Sequence, residues 1–189
     1  GYDLMSQSGL GITGSNRIEL EGPTGIKTNV AGAQKLEIKA PEIYIKEGVH
    51  IFAQLAKHFD GNTGRVVLSG KKILYVQDSR LEAASPQLFE ETPYFNLSGG
   101  QITLDNVSLS QYSHYDSPQM HGEIYAANPR RLSGNKTTEI KATGSFKLTN
   151  KSRVYMNSGQ VIVDASDISI MDSEILSRNV WSSASQGVG

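Results

Sequence analysis

The richest mixture of aromatic and polar side chains in this 189-residue chain lies between Gln111 and Arg131. Tyrosine rings offer flat apolar surfaces for stacking on sugars, while His, Asp and Arg side chains offer hydrogen-bonding groups. Because binding residues concentrate in loops on rigid scaffolds, we expect a ligand-binding loop here. The alternative is that the segment folds over a face of the protein as a covering lid. The candidate ligand-binding residues are Tyr112, His114, Tyr115, Asp116, Tyr125, Arg130 and Arg131.

Candidate catalytic carboxylates are few. Asp78 and Asp172 precede a serine at equivalent places in two similar stretches, so they could form a pair of acids on one face. Polysaccharide hydrolases use such pairs. The alternative, which we favour, is that both are turn residues that cap backbone amides. We therefore predict no catalytic residues and no enzymatic activity, with a polysaccharide lyase or hydrolase as the competing hypothesis.

No metal or cofactor site is predicted. The chain has four histidines and no cysteine. His114 and His121 are the closest in sequence, but no cysteine or dense acid cluster completes a ligand set around them. We expect neither a metal nor an organic cofactor.

Composition limits the partners. The net charge is −1, so no basic excess favours nucleic acid. No apolar run approaches the ~20 residues that span a membrane. The chain starts at Gly1 without a Met and ends in Gln-Gly-Val-Gly, so we expect it to be a segment of a longer protein.

The elements that must position these residues are very short strands in a repeated pattern. One copy of the pattern places inward-facing residues at Val163, Ile168, Ile170, Ser173 and Ile175. Similar copies start at Ile38, Leu68 and Ile140, and partial copies start at Leu20 and Leu104. A step of two residues keeps side chains on the same face of a strand. Equal offsets predict one inward row of Ile43, Ile73, Phe146 and Ile168, and another of Ile51, Leu81, Val154 and Ile175.

Strands this short require partners from the next copy of the repeat. We therefore predict an all-β fold, a right-handed parallel β-helix or β-solenoid with three short strands per coil. A single solenoid of about six coils would occupy residues 1–189, with long side loops near residues 54–62, 85–99 and 111–137. An antiparallel sandwich is the alternative, but the hairpin dipeptides that it needs are nearly absent.

Two copies, residues 64–83 and 159–177, share a phrase of glycine, alternating strand, short turn, second strand and Asp-Ser. The phrase resembles the filamentous-haemagglutinin type of repeat in bacterial adhesins that are exported by two-partner secretion. The likeness covers residues 64–177 and, more weakly, 18–53, and the Asn-Pro-Asn-Gly-type signature of that family's secretion domain is absent here.

This resemblance implies an adhesive rod that is secreted or held at the bacterial cell surface. It also implies an outer-membrane transport partner for the parent chain, and a glycan or surface protein of a host or neighbouring cell as the binding partner. A phage tailspike is an alternative within the same fold class.

Overall fold

A computed structural model describes residues 4–6, 9–22, 25–30, 35–55, 64–85, 94–113, 137–156 and 160–177. Nearly all of these residues are in strands, and every strand pairing among them is parallel. The strands are β1 (Leu4–Ser6), β2 (Leu10–Thr13), β3 (Arg17–Leu20), β4 (Gly25–Val30), β5 (Lys35–Ile45), β6 (His50–Leu55), β7 (Arg65–Gln77), β8 (Arg80–Ser85), β9 (Tyr94–Asp105), β10 (Ser108–Ser113), β11 (Thr137–Thr149), β12 (Arg153–Met156), β13 (Gln160–Ile170) and β14 (Glu174–Ser177). In this part of the chain, no helix is long and apolar enough to cross a bilayer.

The strands form two stacked sheets. The short strands make one sheet in the order β1-β4-β6-β8-β10-β12-β14, and the long strands make the other in the order β13-β11-β9-β7-β5-β2, with β3 also paired to β5. Each coil from β5 onward runs along a long strand, through a tight turn and along a short strand. The prediction of an all-β, parallel solenoid is confirmed.

The predicted number of strands per coil needs one refinement. Each long strand bends where its register with the next shifts, for example between Ala142 and Phe146. The bend divides it into two straight segments, so the coil has three faces although only two strands are continuous. In the first coil the same three faces are made by the separate strands β2, β3 and β4.

Alternation of inward apolar and outward polar side chains builds the core. In β7, residues at every second position are buried on each side of the bend. The inward residues are mainly Ile, Leu and Val, which suit a pleated surface. Burying each such side chain stabilises the fold by roughly 1.5–3 kcal/mol relative to leaving it exposed.

The predicted row of Ile51, Leu81, Val154 and Ile175 is confirmed by the strand registers. Ile51 pairs with Leu81, and Val154 pairs with Ile175. Leu109 lies between Leu81 and Val154 and completes the row.

The other predicted row is wrong at one position. Leu74, and not Ile73, pairs with Ile43 and Ile102 in the neighbouring coils. Leu74 is fully buried, whereas Ile73 is only half-buried. In β7, six positions separate the inward residue Leu68 from the next inward residue, Leu74, whereas five separate Val163 from Ile168 in β13. The extra residue in the bend of β7 moves the inward position from residue 73 to residue 74. The remaining members of the observed row are Ile18, Phe146 and Ile168.

Two partial copies and the loop boundaries also need correction. Leu20 and Leu104 are the third inward positions of their coils, and the first positions are Ile12 and Leu97. Residues 94–99, predicted as loop, belong to β9, where Phe95 and Leu97 are buried. Residues 54–55 belong to β6, residue 85 to β8, residues 111–113 to β10, and residue 137 to β11. The error at residues 94–99 arose because this stretch is short and lies beside a segment that is rich in Pro and Glu.

Candidate binding faces and the polar corner

Of the predicted binding segment, the structure describes only its start. Tyr112 lies in β10, where its backbone pairs with Ala84 of β8. The neighbouring Gln111 is buried and pairs with Ala83 and Met156, so the strand that leads into the segment is anchored in the core. His114, Tyr115, Asp116, Tyr125, Arg130 and Arg131 lie outside the described residues. Binding and covering by this segment both stay predictions.

The attachment points of the long connections lie at one corner of the solenoid. Each connection leaves the end of a short strand and enters the start of the next long strand, as between Leu55 and Arg65 or between Ser85 and Tyr94. Because the short strands stack in one sheet and the long strands in the other, these points form a row along the stack. Among the described strands, the largest such separation in sequence is between Ser113 and Thr137.

A different corner, between the long and the short strands, is polar and tight. We call the residues Asp78, Asp105, Asn106, Asn150 and Asp172 the polar corner. Asp78, Asn106 and Asp172 have positive φ angles of 47°, 53° and 49°. Asn and Asp are the non-glycine residues that most readily adopt this left-handed conformation. Side-chain bonds link the coils, since Asn106 Nδ2 donates to Asp78 Oδ1 at 2.6 Å and Asn150 Nδ2 donates to Asp105 Oδ1 at 2.5 Å.

This arrangement separates the two acids that could have formed a catalytic pair. Asp78 lies in the turn between β7 and β8, and Asp172 lies in the turn between β13 and β14. Three coil-to-coil steps separate these turns, or about 14 Å at ~4.8 Å per step. Paired carboxylates of glycosidases lie at most about 9.5 Å apart. Both residues occupy turns, and the structure does not bring them together.

In the described part of the chain, no group of three or more potential ligand side chains gathers around a point that could hold a metal ion. His50 instead contacts Glu82 through Nε2, and its ring centre lies 5.8 Å from that of Phe52. Glu82 is buried although it lies on the outer face of the short strands. His58, His114 and His121 lie outside the described residues.

Sequence reasoning missed a tyrosine pair on the outer face of the long strands. The repeat that places Ile73 inward also places Tyr75 inward, two residues later, but Tyr75 pairs with Tyr44 on the outside, with 6.1 Å between ring centres. The Arg17 guanidinium lies 4.2 Å from the centre of the Tyr44 ring, and the Lys46 ammonium lies 5.4 Å from it. The signal was available in the sequence, because assigning Leu74 and Val76 to the core places Tyr75 outside.

Ion pairs organise the same outer face. A hydrogen bond from Lys46, at 3.0 Å, holds the pKa of Glu19 below its ordinary value, and the same contact raises the pKa of Lys46. Burial raises the pKa of Tyr75, and the nearby Asp105 charge adds to that shift. On the other side of the bend in β5, and therefore on a neighbouring face, hydrogen bonds from Lys35 and Lys39 lower the pKa of Glu37. Each shift stabilises the ordinary charge state at neutral pH, so none prepares a general acid, base or nucleophile for catalysis.

Comparison with known proteins found no matching family model, no matching curated protein and no matching solved structure.

Proposed function

We propose that this chain is a structural and adhesive segment of a large β-helical protein of the bacterial cell surface or of secretions, and that it binds partners through side loops. The observation that carries the proposal is an insertion that leaves the stack undisturbed. Of all consecutive described strands, β10 and β11 are separated by the most residues, from Ser113 to Thr137, yet β10 still pairs with β12 and β9 still pairs with β11. A rod that tolerates such an insertion can present it to a partner.

The residue types of the insertion, together with Tyr112 near the end of β10, favour a glycan or a surface protein of a host or neighbouring cell. Tyr112, Tyr115 and Tyr125 supply apolar rings for stacking on sugars. His114, Asp116, Arg130 and Arg131 supply hydrogen-bonding groups for hydroxyl or carboxylate groups. Secretion through an outer-membrane transport partner follows from the resemblance to filamentous-haemagglutinin repeats.

Attachment is the direct test of this function. We expect the purified protein to bind to a glycan array or to intact host or bacterial cells. Replacing Tyr112, Tyr115 and Tyr125 with Ser should abolish attachment to cells without changing the β-rich circular dichroism spectrum. A matched control replaces Tyr44, Tyr75 and Tyr155, which lie in strands outside the insertion, with Ser. Loss of the fold in the first variant would favour a covering lid, and unchanged attachment would exclude this loop as the binding site.

The proposed function excludes catalysis, in contrast to the alternative of a polysaccharide lyase, hydrolase or tailspike. Incubation with pectin-like, capsular and O-antigen glycans should release no new chain ends. Depolymerisation that disappears on Asp78→Asn or Asp172→Asn would replace the adhesive proposal with the enzymatic one.

A further inference from the structure

A depression on the outer face of the short strands carries an excess of positive charge. Its volume is 610 Å³, which is within the range of small-molecule sites. We call it the cationic depression. The residues that its properties depend on are His50, Arg80, Asn106, Ser108, Lys151 and Arg153.

The charge excess is local. Arg80, Lys151 and Arg153 line the depression, and among its described lining residues the single carboxylate is Asp78, which already accepts a hydrogen bond from Asn106. The whole chain, in contrast, has a net charge of −1. General attraction to polyanions is therefore weak, and binding of an anion would have to depend on this site.

The two arginines are available to a ligand. Their side chains are 62% and 63% exposed. Arg80 approaches Glu82 through Nε at 3.4 Å, and Arg153 contacts Glu174 through Nε as well. Arg153 and Glu174 are both exposed, and such pairs are weak, so an incoming carboxylate competes with this one readily. Glu82 is buried, but its contact with Arg80 is long and the Arg80 side chain is mostly in solvent. Within the described part of the chain, the Lys151 ammonium has no ion-pair partner.

The strand registers set the spacing of these groups. Arg80, Ser108 and Arg153 occupy the same position on the consecutive strands β8, β10 and β12. The arginine Cα atoms are thus two steps, or about 10 Å, apart along the stack. The short Ser108 side chain leaves a gap between them and offers a hydroxyl group. An anionic group in this gap would be within reach of both guanidinium groups, which bind carboxylates by paired hydrogen bonds.

We propose that the cationic depression binds a carboxylate-bearing saccharide of the hexuronic acid class, extended along the stack. The lining residues belong to four successive coils, from His50 to Arg153, so the depression is elongated in the stacking direction. Ser108 and Asn106 provide groups for sugar hydroxyls, which a simple anion does not use. The site lies where the short strands begin, whereas the proposed binding loop joins β10 where that strand ends. It is a second site, independent of the loop.

Calorimetric titration with an oligomer of galacturonic acid tests this proposal. We expect saturable binding that weakens as salt rises, and no binding of a neutral maltose oligomer of the same length. The double variant Arg80→Gln/Arg153→Gln should bind the galacturonic acid oligomer at least about tenfold more weakly, since each lost charged hydrogen bond is worth about a factor of ten. The control Lys71→Gln/Lys72→Gln removes the same charge from exposed residues outside the depression and should bind like the unmodified protein.

Four results would overturn the proposal: no binding of the acidic oligomer, equal binding of the neutral one, equal weakening in the lysine control, or inorganic phosphate binding as tightly as the oligomer. The variant in which Tyr112, Tyr115 and Tyr125 are replaced with Ser separates this site from the loop. It should lose cell attachment and keep binding to the galacturonic acid oligomer. Loss of both activities in that variant would contradict the independence of the two sites.

Discussion

The interior coils and the last described coil have the same inward pattern but different burial. Phe146 and Leu148 of β11 are fully buried, whereas their partners Ile168 and Ile170 of β13 are 53% and 46% exposed. The large exposed hydrophobic residues of the described chain are Ile162, Ile168, Ile170 and Met171, and all follow β11. In a solenoid, each coil is covered by two neighbours, and among the described strands β13 has one neighbour in its sheet.

The difference shows that the stability of this fold is a property of stacking and not of a single coil. The sequence of β13 is as apolar as that of β11 at its inward positions. Only the presence of strands on both sides turns the same pattern into a closed core. Substitutions at equivalent positions of the two regions should therefore have unequal effects.

The largest difference is expected for the row that contains Phe146 and Ile168. Phe146→Ala should lower the free energy of unfolding by about 3–5 kcal/mol, because it leaves a cavity in a fully buried site. Ile168→Ala should lower it by about 1 kcal/mol, because half of its surface is already in water. Urea unfolding monitored by circular dichroism measures both, and equal losses would contradict the comparison.

A second difference concerns glycines. A Cβ atom at Gly100 would lie 2.6 Å from the Lys72 carbonyl oxygen of the adjacent coil, whereas a Cβ at Gly11 in β2 would meet nothing within 4 Å. Gly100→Ala should therefore destabilise the protein by about 1–3 kcal/mol through overpacking. Gly11→Ala should be neutral or slightly stabilising, because alanine loses less backbone entropy on folding. A Gly100→Ala protein that unfolds at the same urea concentration as the unmodified protein would refute this close approach.

Two equivalent serines give a smaller difference. Ser152 Oγ donates to the Thr149 carbonyl oxygen at 2.7 Å and accepts from the Val107 amide at 2.9 Å, and the residue is buried. Ser152→Ala leaves that amide unpaired and should reduce stability by about 1–2 kcal/mol. Ser173, half-buried in the last described coil, accepts a hydrogen bond from the Ser152 amide. Ser173→Ala should therefore reduce stability by less than 1 kcal/mol, about the contribution of one partly exposed hydrogen bond. The order of the two urea midpoints checks the prediction, and a reversed order would contradict it.

The smallest effect is expected on the outer face and depends on pH. Burial raises the pKa of Tyr75, so the folded protein holds this proton more tightly than the unfolded chain does. The contribution of Tyr75 to stability should be fully present below the ordinary tyrosine pKa of about 10 and should be lost as pH rises through the raised pKa of the folded protein. The difference between the tyrosinate absorbance curves of the unmodified protein and Tyr75→Phe should have its midpoint above about 10. A midpoint at or below that value would show that Tyr75 is not buried in this way.

How far the sequence predicts this structure depends on how clearly each segment distinguishes its two faces. The row through Ile51 and Leu81 was predictable because a polar residue directly precedes each of its four predicted members, namely His50, Arg80, Arg153 and Glu174. The row through Leu74 was not predictable, because Ile73-Leu74-Tyr75-Val76 has apolar or aromatic residues at both its odd and its even positions. Only the length of the preceding bend decides which set of positions faces inward. A change of one residue in that bend exchanges the inward and outward faces.

The candidate sites were predictable to a smaller extent. Asp78 was identifiable as a turn residue from its place after a strand, but its separation from Asp172 required the stacking order of the coils. The cationic depression escaped the sequence analysis because Arg80 and Arg153 are 73 positions apart in sequence and become neighbours only through β10. The segment from Gln111 to Arg131 has no strand periodicity, so its composition indicates chemistry without indicating geometry.

Parallel stacking of successive coils in the observed register is the central claim, and a disulfide tests it directly. The chain has no cysteine, and Ser69 and Ser98 lie opposite each other in adjacent coils, with 3.0 Å between their Oγ atoms. Their Cα atoms should be about 4.8 Å apart, whereas Lys141 lies one coil further, about 10 Å from Ser69. Two cysteines whose Cα atoms are more than about 7 Å apart cannot form a disulfide unless the backbone moves. We predict that the Ser69→Cys/Ser98→Cys protein oxidises to an intramolecular disulfide in air and that Ser69→Cys/Lys141→Cys does not, as measured by mass spectrometry after alkylation. Failure of the first pair to oxidise, or equal oxidation of both pairs, would contradict the stacked parallel register.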